Sequence, residues 1–154
     1  MYLLTLRVTR ARLAHHINDS EMKMLKSELF DVWINLKKAI HASSRIPAIK
    51  QGEVWWCAMG ENVGIEINGK NQVFSRPVLI FKKLSRFGFV GIPLTSQPHS
   101  GCWYVPFNFQ GKTSIAVLSQ IRTFSVLRLY RRMGTLPESD LRMIKEGFLR
   151  LYGN

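Results

Sequence analysis

The middle of this chain, residues 67–137, carries ten Lys and Arg residues and no Asp or Glu. The basic residues are Lys70, Arg76, Lys82, Lys83, Arg86, Lys112, Arg122, Arg128, Arg131 and Arg132. Cationic side chains bind phosphate oxygens, and guanidinium groups do so through paired hydrogen bonds. Hydrolysis by paired carboxylates and carboxylate-held magnesium both need acids that the segment lacks, so these two chemistries fit it poorly.

The charge of the whole chain favours the same kind of ligand. Its 154 residues have a formal net charge of +12, from 22 Lys and Arg against 10 Asp and Glu. Such a surplus raises the expectation of a phosphate-rich polyanionic partner, because counterions are released when the phosphates are neutralised. Apolar residues make up 46% of the chain, which is typical of a folded globular protein.

Cysteine and histidine do not form a metal-binding pattern. The two cysteines, Cys57 and Cys102, stand far apart, without a CxxC pair, so a structural zinc site is not expected. The histidines do not cluster either: His15, His16, His41 and His99. We expect no metal and no cofactor. Two lone thiols suit a reducing compartment.

The opening apolar stretch, residues 1–6, is cut off at Arg7 and is too short for a secretory signal or a membrane span. No other stretch approaches transmembrane length. We therefore expect a soluble cytoplasmic protein that does not act at a membrane.

An amphipathic helix is predicted before the basic segment. Asn18, Asp19 and Ser20 are good N-cap types, and Glu21 suits the first turn. Apolar residues then recur at spacings of three and four: Met22, Leu25, Leu29, Val32, Leu36 and Ala39. We favour a single helix packed on its own domain, and the alternative is a two-helix seam with a partner chain. Residues 1–17 show no clear period, and the helix should end near 41–44.

From Gly52 onward the sequence predicts short strands at close spacing. The five predicted strands are 53–59, 76–83, 87–94, 102–109 and 114–120. Turn residues separate them, which favours a small antiparallel barrel over a βαβ sheet. A short helix is predicted over 125–132, and a last helix begins at Pro137 with a buried stripe. The stripe is Leu141, Ile144, Phe148 and Leu151. We divide the chain into 1–50, the tail, helix and linker, and 51–154, the barrel domain.

Six short segments stand in one order along residues 52–152. They are Gly52-Glu-Val-Trp-Trp56, Gly64-Ile-Glu66, Arg76-Pro-Val-Leu-Ile80, Ile92-Pro-Leu-Thr-Ser-Gln97, Leu118-Ser-Gln-Ile-Arg-Thr123 and Met133-Gly-Thr-Leu-Pro137. None is specific alone, but together they resemble the MazF/PemK family of toxin–antitoxin endoribonucleases. The resemblance implies an α+β fold: a small antiparallel SH3-like β-barrel with a short helix and a C-terminal helix, here preceded by an N-terminal amphipathic helix.

Two features depart from the family pattern. The loop between Glu66 and Arg76 is longer than the family's usual form. Ser119 stands where many members carry an acid, so any role of that carboxylate is missing or moved. The N-terminal 50 residues lie outside the matching region.

The resemblance implies metal-independent, sequence-specific cleavage of single-stranded RNA by attack of the ribose 2′-hydroxyl, which leaves a cyclic phosphate and a 5′-hydroxyl. By motif, Arg76 would stabilise charge on the transferring phosphate. Thr95 would donate its hydroxyl, with Ser96 as its near-equal alternative. Glu66 would accept the 2′-hydroxyl proton or hold Arg76 in place, and a plain surface role for it is equally open. His99, after the hydroxyl pair, is a weaker acid–base candidate.

The RNA-binding residues predicted from the resemblance lie mostly in loops, since single-stranded RNA is read by stacking on splayed bases and bonding their edges. They are Lys70, Asn71, Gln72, Phe74, Lys82, Lys83, Arg86, Gln97, Gln120 and Arg122. Gln120 is expected to be mainly structural, and Arg122 to contact backbone phosphate. Trp55, Trp56, Trp103 and Tyr104 are possible platforms, although alternation along a strand points one of each adjacent pair inward.

The resemblance also implies a homodimer with its RNA groove along the interface, and a cognate antitoxin protein whose acidic segment fills the basic groove. Two other functions stay open. The same barrel is used by CcdB-like toxins that trap DNA gyrase, although a pure binder needs neither Arg76 nor the hydroxyl pair. A catalytically degenerate RNA-binding module is the other alternative, and Ser119 and the long loop favour it.

Overall fold

The chain begins with one long helix and continues as short strands followed by a second helix. The computed structural model describes residues 19–153, with side chains described from residue 25 onward. Helix α1 spans Asp19–His41, and an irregular linker leads from it to the first strand. The predicted tail at 1–17 and Asn18 lie outside the described residues, as do the side chains of Asp19, Ser20, Glu21 and Met22.

Seven strands form one antiparallel sheet. Their bounds are β1 Glu53–Ala58, β2 Ser75–Lys83, β3 Gly88–Thr95, β4 Tyr104–Phe109, β5 Lys112–Val117, β6 Arg122–Ser125 and β7 Leu129–Thr135. The order is β4-β5-β3-β2-β1-β7, and β6 pairs with β3 beside this path. The first half of β3 pairs with β6 and its second half with β5, which curls the sheet around β3. The predicted barrel-like α+β fold is confirmed.

The segment predicted as a short helix, 125–132, is mostly strand. One 3-10 turn, Val126–Arg128, forms there, and β7 follows it directly. The hydroxyl oxygen of Ser125 accepts a hydrogen bond from the Leu127 amide at 3.3 Å, which caps the turn. The helical interpretation of this segment was wrong because β7 pairs with β1 over most of the length of β1, and tertiary pairing overrides local helix propensity.

The strand predicted over 114–120 also ends early. β5 stops at Val117, and Leu118–Gln120 forms another 3-10 turn before β6 begins. Leu118 is fully buried, with an exposed fraction of 0%. This turn carries Gln120 to the edge of the cleft described below.

Two apolar clusters fill the curled sheet. One lies under helix α2, Glu138–Tyr152, and joins it to β3, β4 and β5. Leu141 and Ile144 are buried in this cluster as predicted, while Phe148 and Leu151 are half-buried. The second cluster lies around β1, β2 and β3 and includes the buried Cys57 on β1. Together the clusters fix the strands that carry the candidate site.

Helix α1 packs on the sheet along a different stripe from the predicted one. Trp33 is its buried residue, with 5% exposure, and packs with Ala58 and Phe74. Leu29, Leu36 and Ile40 are partly buried around it. Leu25 and Val32, both predicted to be inward, are 40% and 54% exposed. The buried positions thus include only part of the predicted three-four pattern. No helix within residues 19–153 is long and apolar enough to cross a membrane.

Candidate functional site

Arg76 and Thr95 lie on neighbouring strands that run antiparallel. Arg76 is the second residue of β2, and Thr95 is the last residue of β3. β2 and β3 pair Val78 with Pro93. Just beyond that pair, at the same end of the two strands, Arg76 pairs with Cys57 of β1 and Thr95 with Ile115 of β5. The sheet therefore brings a guanidinium and a hydroxyl to one edge.

The surroundings of these two side chains leave polar groups free for a ligand. Arg76 donates its Nε–H to the carbonyl oxygen of Asn68, which leaves its two terminal nitrogens to face an anion. Its partial burial lowers the pKa of the guanidinium below the usual value. The Thr95 hydroxyl oxygen accepts a hydrogen bond from the Gln97 amide at 3.1 Å, so its hydroxyl hydrogen stays free to donate.

Arg76 and Thr95 open into one cleft of about 270 Å³. Its lining residues are Ile65, Ile67, Lys70, Arg76, Thr95, Gln97, His99, Tyr104, Val117, Ser119 and Gln120. Two cations and several neutral donors face this space, and none of these lining residues is a carboxylate. An arrangement of this kind suits a phosphodiester, whose charge it neutralises.

The wall of the cleft opposite the strands is the loop 60–75, which we call the wall loop. Asn62 and Asn68 cross-link it, since the Asn62 amide donates to the Asn68 side-chain oxygen at 2.6 Å. Gln120 then holds the loop to the sheet. Its side chain accepts from the Ile67 amide at 2.9 Å and donates to the Ile65 carbonyl at 3.1 Å. These two hydrogen bonds are how Gln120 would perform the mainly structural role that we expected of it.

His99 and Tyr104 form a flat stack at the far side of the cleft. Their ring centroids are 4.7 Å apart, and the ring planes differ by 11°. The sequence left Tyr104 as either platform or core and gave His99 little weight. The stack was missed because a loop residue and a strand residue meet only in the folded chain. The outward histidine face gives the cleft a surface on which a base can stack.

Two predicted catalytic residues lie outside this lining. Ser96 is exposed just beyond the end of β3. Glu66 is exposed in the wall loop, where its carboxylate faces the Val63 amide at 3.5 Å. The structure places the carbonyl of Asn68, rather than Glu66, against Arg76.

The predicted base-binding residues of the wall loop are divided between two environments. Lys70 lines the cleft, and Asn71 and Gln72 are exposed at the tip of the loop. The prediction that Phe74 binds an RNA base was wrong, because Phe74 is 4% exposed and packs against Trp33 with ring centroids 5.7 Å apart. A side chain buried in this way presents no face to an RNA base.

Gln97 and Gln120 line the cleft as well, whereas four other predicted RNA contacts are outside its lining. Lys82 and Lys83 end β2, about 20 Å along the strand from Arg76 at roughly 3.3 Å per residue. Arg86 is exposed in the turn that follows and stacks over Phe87. Arg122 is exposed on β6 and lies over the Phe124 ring. These cations extend the basic surface without joining the lining of the cleft.

The cysteines form neither a metal cluster nor a disulfide in the described part of the chain. Between residues 19 and 153, no three His, Cys, Asp or Glu side chains come together as a metal site would require. Both cysteines are free thiols, Cys57 buried and Cys102 exposed. Burial raises the pKa of Cys57 to about 12, which keeps it protonated and unreactive at neutral pH.

The fold and the cleft define a small barrel-like protein with a cleft lined by Arg76 and Lys70 at one edge of its sheet. The model of the PemK-like, MazF-like toxins of type II toxin–antitoxin systems matches residues 50–152. The chain belongs to this family, which confirms the resemblance found in the six motifs. No curated protein sequence matches the chain significantly.

Solved structures show the same fold. A MazF from Deinococcus radiodurans is 16% identical and superimposes with a TM-score of 0.55, over 72% of this chain and 100% of that one. An endoribonuclease from a mycobacterial species, in complex with its cognate antitoxin, is 18% identical with a TM-score of 0.53, over 69% and 96% of the two chains. At these identities the likeness establishes the architecture, and the family model begins only at residue 50, shortly before β1.

Proposed function

We propose that this chain is a metal-independent, sequence-specific endoribonuclease that cleaves single-stranded RNA and so acts as the toxin of its type II system. The observation that carries the proposal is that Arg76 of β2 and Thr95 of β3 line one cleft, together with Lys70 and several neutral donors. Family membership supports the same activity.

The reaction starts when the ribose 2′-oxygen attacks the adjacent phosphorus. The bond from phosphorus to the 5′-oxygen breaks, which leaves a 2′,3′-cyclic phosphate and a 5′-hydroxyl. Arg76 neutralises the charge that builds on the non-bridging oxygens, and the Thr95 hydroxyl donates to one of them. Lys70 at the same cleft binds a neighbouring phosphate.

Two protons must move in this reaction, one from the 2′-hydroxyl and one to the leaving 5′-oxygen. None of the described residues that line the cleft is a carboxylate, and Glu66 lies outside this lining. Among the described lining residues, His99 carries the imidazole, a type of side chain that serves both as general base and as general acid. We assign proton transfer to His99 in this proposal, with Tyr104 holding its ring by stacking.

The same basic cleft is the site we propose for inhibition by an antitoxin. A mycobacterial structural neighbour is an endoribonuclease in complex with its cognate antitoxin. An acidic segment bound along Lys70 and Arg76 would neutralise the phosphate-binding side chains and exclude RNA. As the family resemblance implies, we propose a homodimer as the working form, acting in the cytoplasm.

The decisive experiment is cleavage of a long single-stranded RNA in EDTA by wild type, Arg76→Ala and Arg142→Ala, with the ends mapped by primer extension. Arg142 is an exposed arginine of α2, so its variant controls for loss of one positive charge. Discrete cuts with 5′-hydroxyl ends in wild type and Arg142→Ala, lost in Arg76→Ala, support the proposal.

Other outcomes contradict the proposal. Folded wild type that binds RNA without cutting it is a degenerate RNA-binding module. Wild type that neither cuts nor binds RNA, but stabilises the covalent complex of a topoisomerase with DNA, belongs with the non-catalytic toxins. Activity that appears only when magnesium is added removes the metal-independent mechanism.

A further inference from the structure

Helix α1 lies outside the part of the chain that the toxin family shares, yet it contacts the wall loop of the cleft. Its buried residue, Trp33, packs against Phe74 at the end of that loop. The contact joins a segment outside the family match to the loop that carries Lys70. This connection suggests a role for α1 in the site.

Trp33 is held between elements of the barrel domain. The guanidinium of Arg128 lies over its ring, 5.5 Å from the centroid, and donates to the Ala58 carbonyl at 2.8 Å. Gly60 adopts a left-handed φ of +98°, and a Cβ there would overlap the Trp33 ring. Only glycine permits the indole to approach the first residue of the wall loop this closely.

The contact reaches Arg76 through hydrogen bonds that are joined by short stretches of backbone. The Phe74 carbonyl accepts from the amides of Met59 and Gly60 at 2.8 and 3.1 Å. The Gly60 carbonyl accepts from the Gly69 amide at 2.8 Å. The neighbour of Gly69 on one side is Asn68, whose carbonyl accepts from Arg76.

The same series fixes Lys70. Lys70 and Ser75 exchange two backbone hydrogen bonds of 2.9 Å, which close the loop as an isolated bridge. Asn71 and Phe74 both adopt left-handed φ angles, +62° and +47°. For a bulky residue such as Phe74 this conformation carries strain, so burial of its ring against Trp33 is needed to hold it.

We propose that Trp33 is a positioning residue: by clamping Phe74 it sets the wall loop, and with it the positions of Lys70 and Arg76 for the RNA phosphates. The proposal makes α1 a working part of the cleft rather than an appendage. The expected effect of Trp33 on kcat rests on the proposed ribonuclease activity. The expected ordering of the wall loop by Trp33 is independent of that activity.

The test compares full-length wild type with Trp33→Ala, Trp33→Leu and Trp33→Phe, and with Val32→Ala as the matched control on the exposed face of α1. Hydrogen–deuterium exchange is measured over residues 60–75 and over β4 and β5, which lie far from Trp33 in the sheet order. Cleavage is measured as kcat, KM and the pattern of cut sites.

We expect exchange in 60–75 to accelerate in Trp33→Ala and Trp33→Leu, while β4 and β5 keep the wild-type rate. A displaced phosphate-binding group costs about 10- to 100-fold in kcat, and the cut pattern should broaden because the loop that contacts bases is loosened. Trp33→Phe should restore most of both properties, and Val32→Ala should match wild type.

Unchanged exchange in 60–75 of folded Trp33→Leu overturns the proposal, as does equal acceleration everywhere, which would mean global destabilisation alone. Normal kcat and cut sites in a variant whose wall loop is loosened also overturn it. If wild type itself cuts no RNA, the proposed function fails, and the exchange measurement still decides whether Trp33 orders the loop.

Discussion

The two walls of the cleft are held by different kinds of interaction. Arg76 and Thr95 stand on neighbouring strands, where Arg76 pairs with β1 and Thr95 with β5, and two apolar clusters pack against these strands. The wall loop opposite is fixed by a few side chains from elsewhere in the chain, chiefly Gln120 and Trp33. The strand wall is therefore expected to be stiff and the loop wall to be adjustable.

This difference assigns different tasks to the two walls. Stabilisation of a transition state needs groups that are already in place, which a sheet provides. Reading different RNA bases needs a surface that changes between relatives, which a loop provides. Substitutions in the strand wall should lower kcat, whereas substitutions that release only the part of the loop wall held by Gln120 should change KM and sequence preference. Trp33 also sets the position of Arg76 through the loop, so its substitution should lower kcat as well.

The largest effect is expected for the strand wall. Thr95→Val keeps the shape of the buried side chain and removes the hydroxyl, so kcat should fall about 100-fold with little change in KM, as for loss of one preorganised donor. Thr95→Ser retains the hydroxyl and should retain most activity. The measurement is single-turnover cleavage of a short RNA that contains one mapped site. A larger loss in Ser96→Ala than in Thr95→Val would transfer the role to the exposed neighbour.

A smaller effect of another kind is expected for the loop wall. Gln120→Ala removes both hydrogen bonds that tie Ile65 and Ile67 to the sheet. We expect KM to rise about tenfold, a cost of the order of one or two hydrogen bonds, and secondary cut sites to appear, with kcat nearly unchanged. The matched control is Gln110→Ala, whose side chain bonds the Met133 carbonyl at 2.7 Å outside the cleft. A pure loss of kcat in Gln120→Ala would contradict the division of tasks.

The strand wall was predictable from the sequence and most of the loop wall was not. The β-favouring run 76–83 placed Arg76 on a strand, and the resemblance of the 92–97 motif placed Thr95 at a strand end, one residue beyond the predicted strand 87–94. Phe74 was predicted to bind a base because it is an aromatic residue in a polar loop. Its burial depends on Trp33, which is distant in sequence and stands in a helix whose buried stripe was only partly predicted.

Two further differences between the sequence prediction and the structure have the same cause. The run 125–132 contains good helix formers, and only its pairing with β1 makes most of it a strand. Alternation along β4 shows that Tyr104 faces one side of the sheet, but not which side holds the cleft, so its stack with His99 was not predicted. Contacts between segments far apart in sequence decide each case.

The smallest effect tests the stiffness of the strand wall directly. Cys57 pairs with Arg76 across β1 and β2, and its burial raises its pKa to about 12. Since the thiolate is the reactive form, a thiol reagent at pH 8 should label exposed Cys102 and spare Cys57 until denaturant is added. Trp33→Leu should leave Cys57 protected, because it loosens the wall loop while the β1–β2 ladder around Cys57 stays paired.

The same buried thiol makes stability depend on pH. The folded state keeps the Cys57 proton between pH 9 and about 12 while the unfolded state loses it, so this group makes stability fall as pH rises through that window. Cys57→Ala should remove that part of the pH dependence, as measured by chemical unfolding, and rapid labelling of Cys57 in native protein would show that the strand wall opens as readily as the loop.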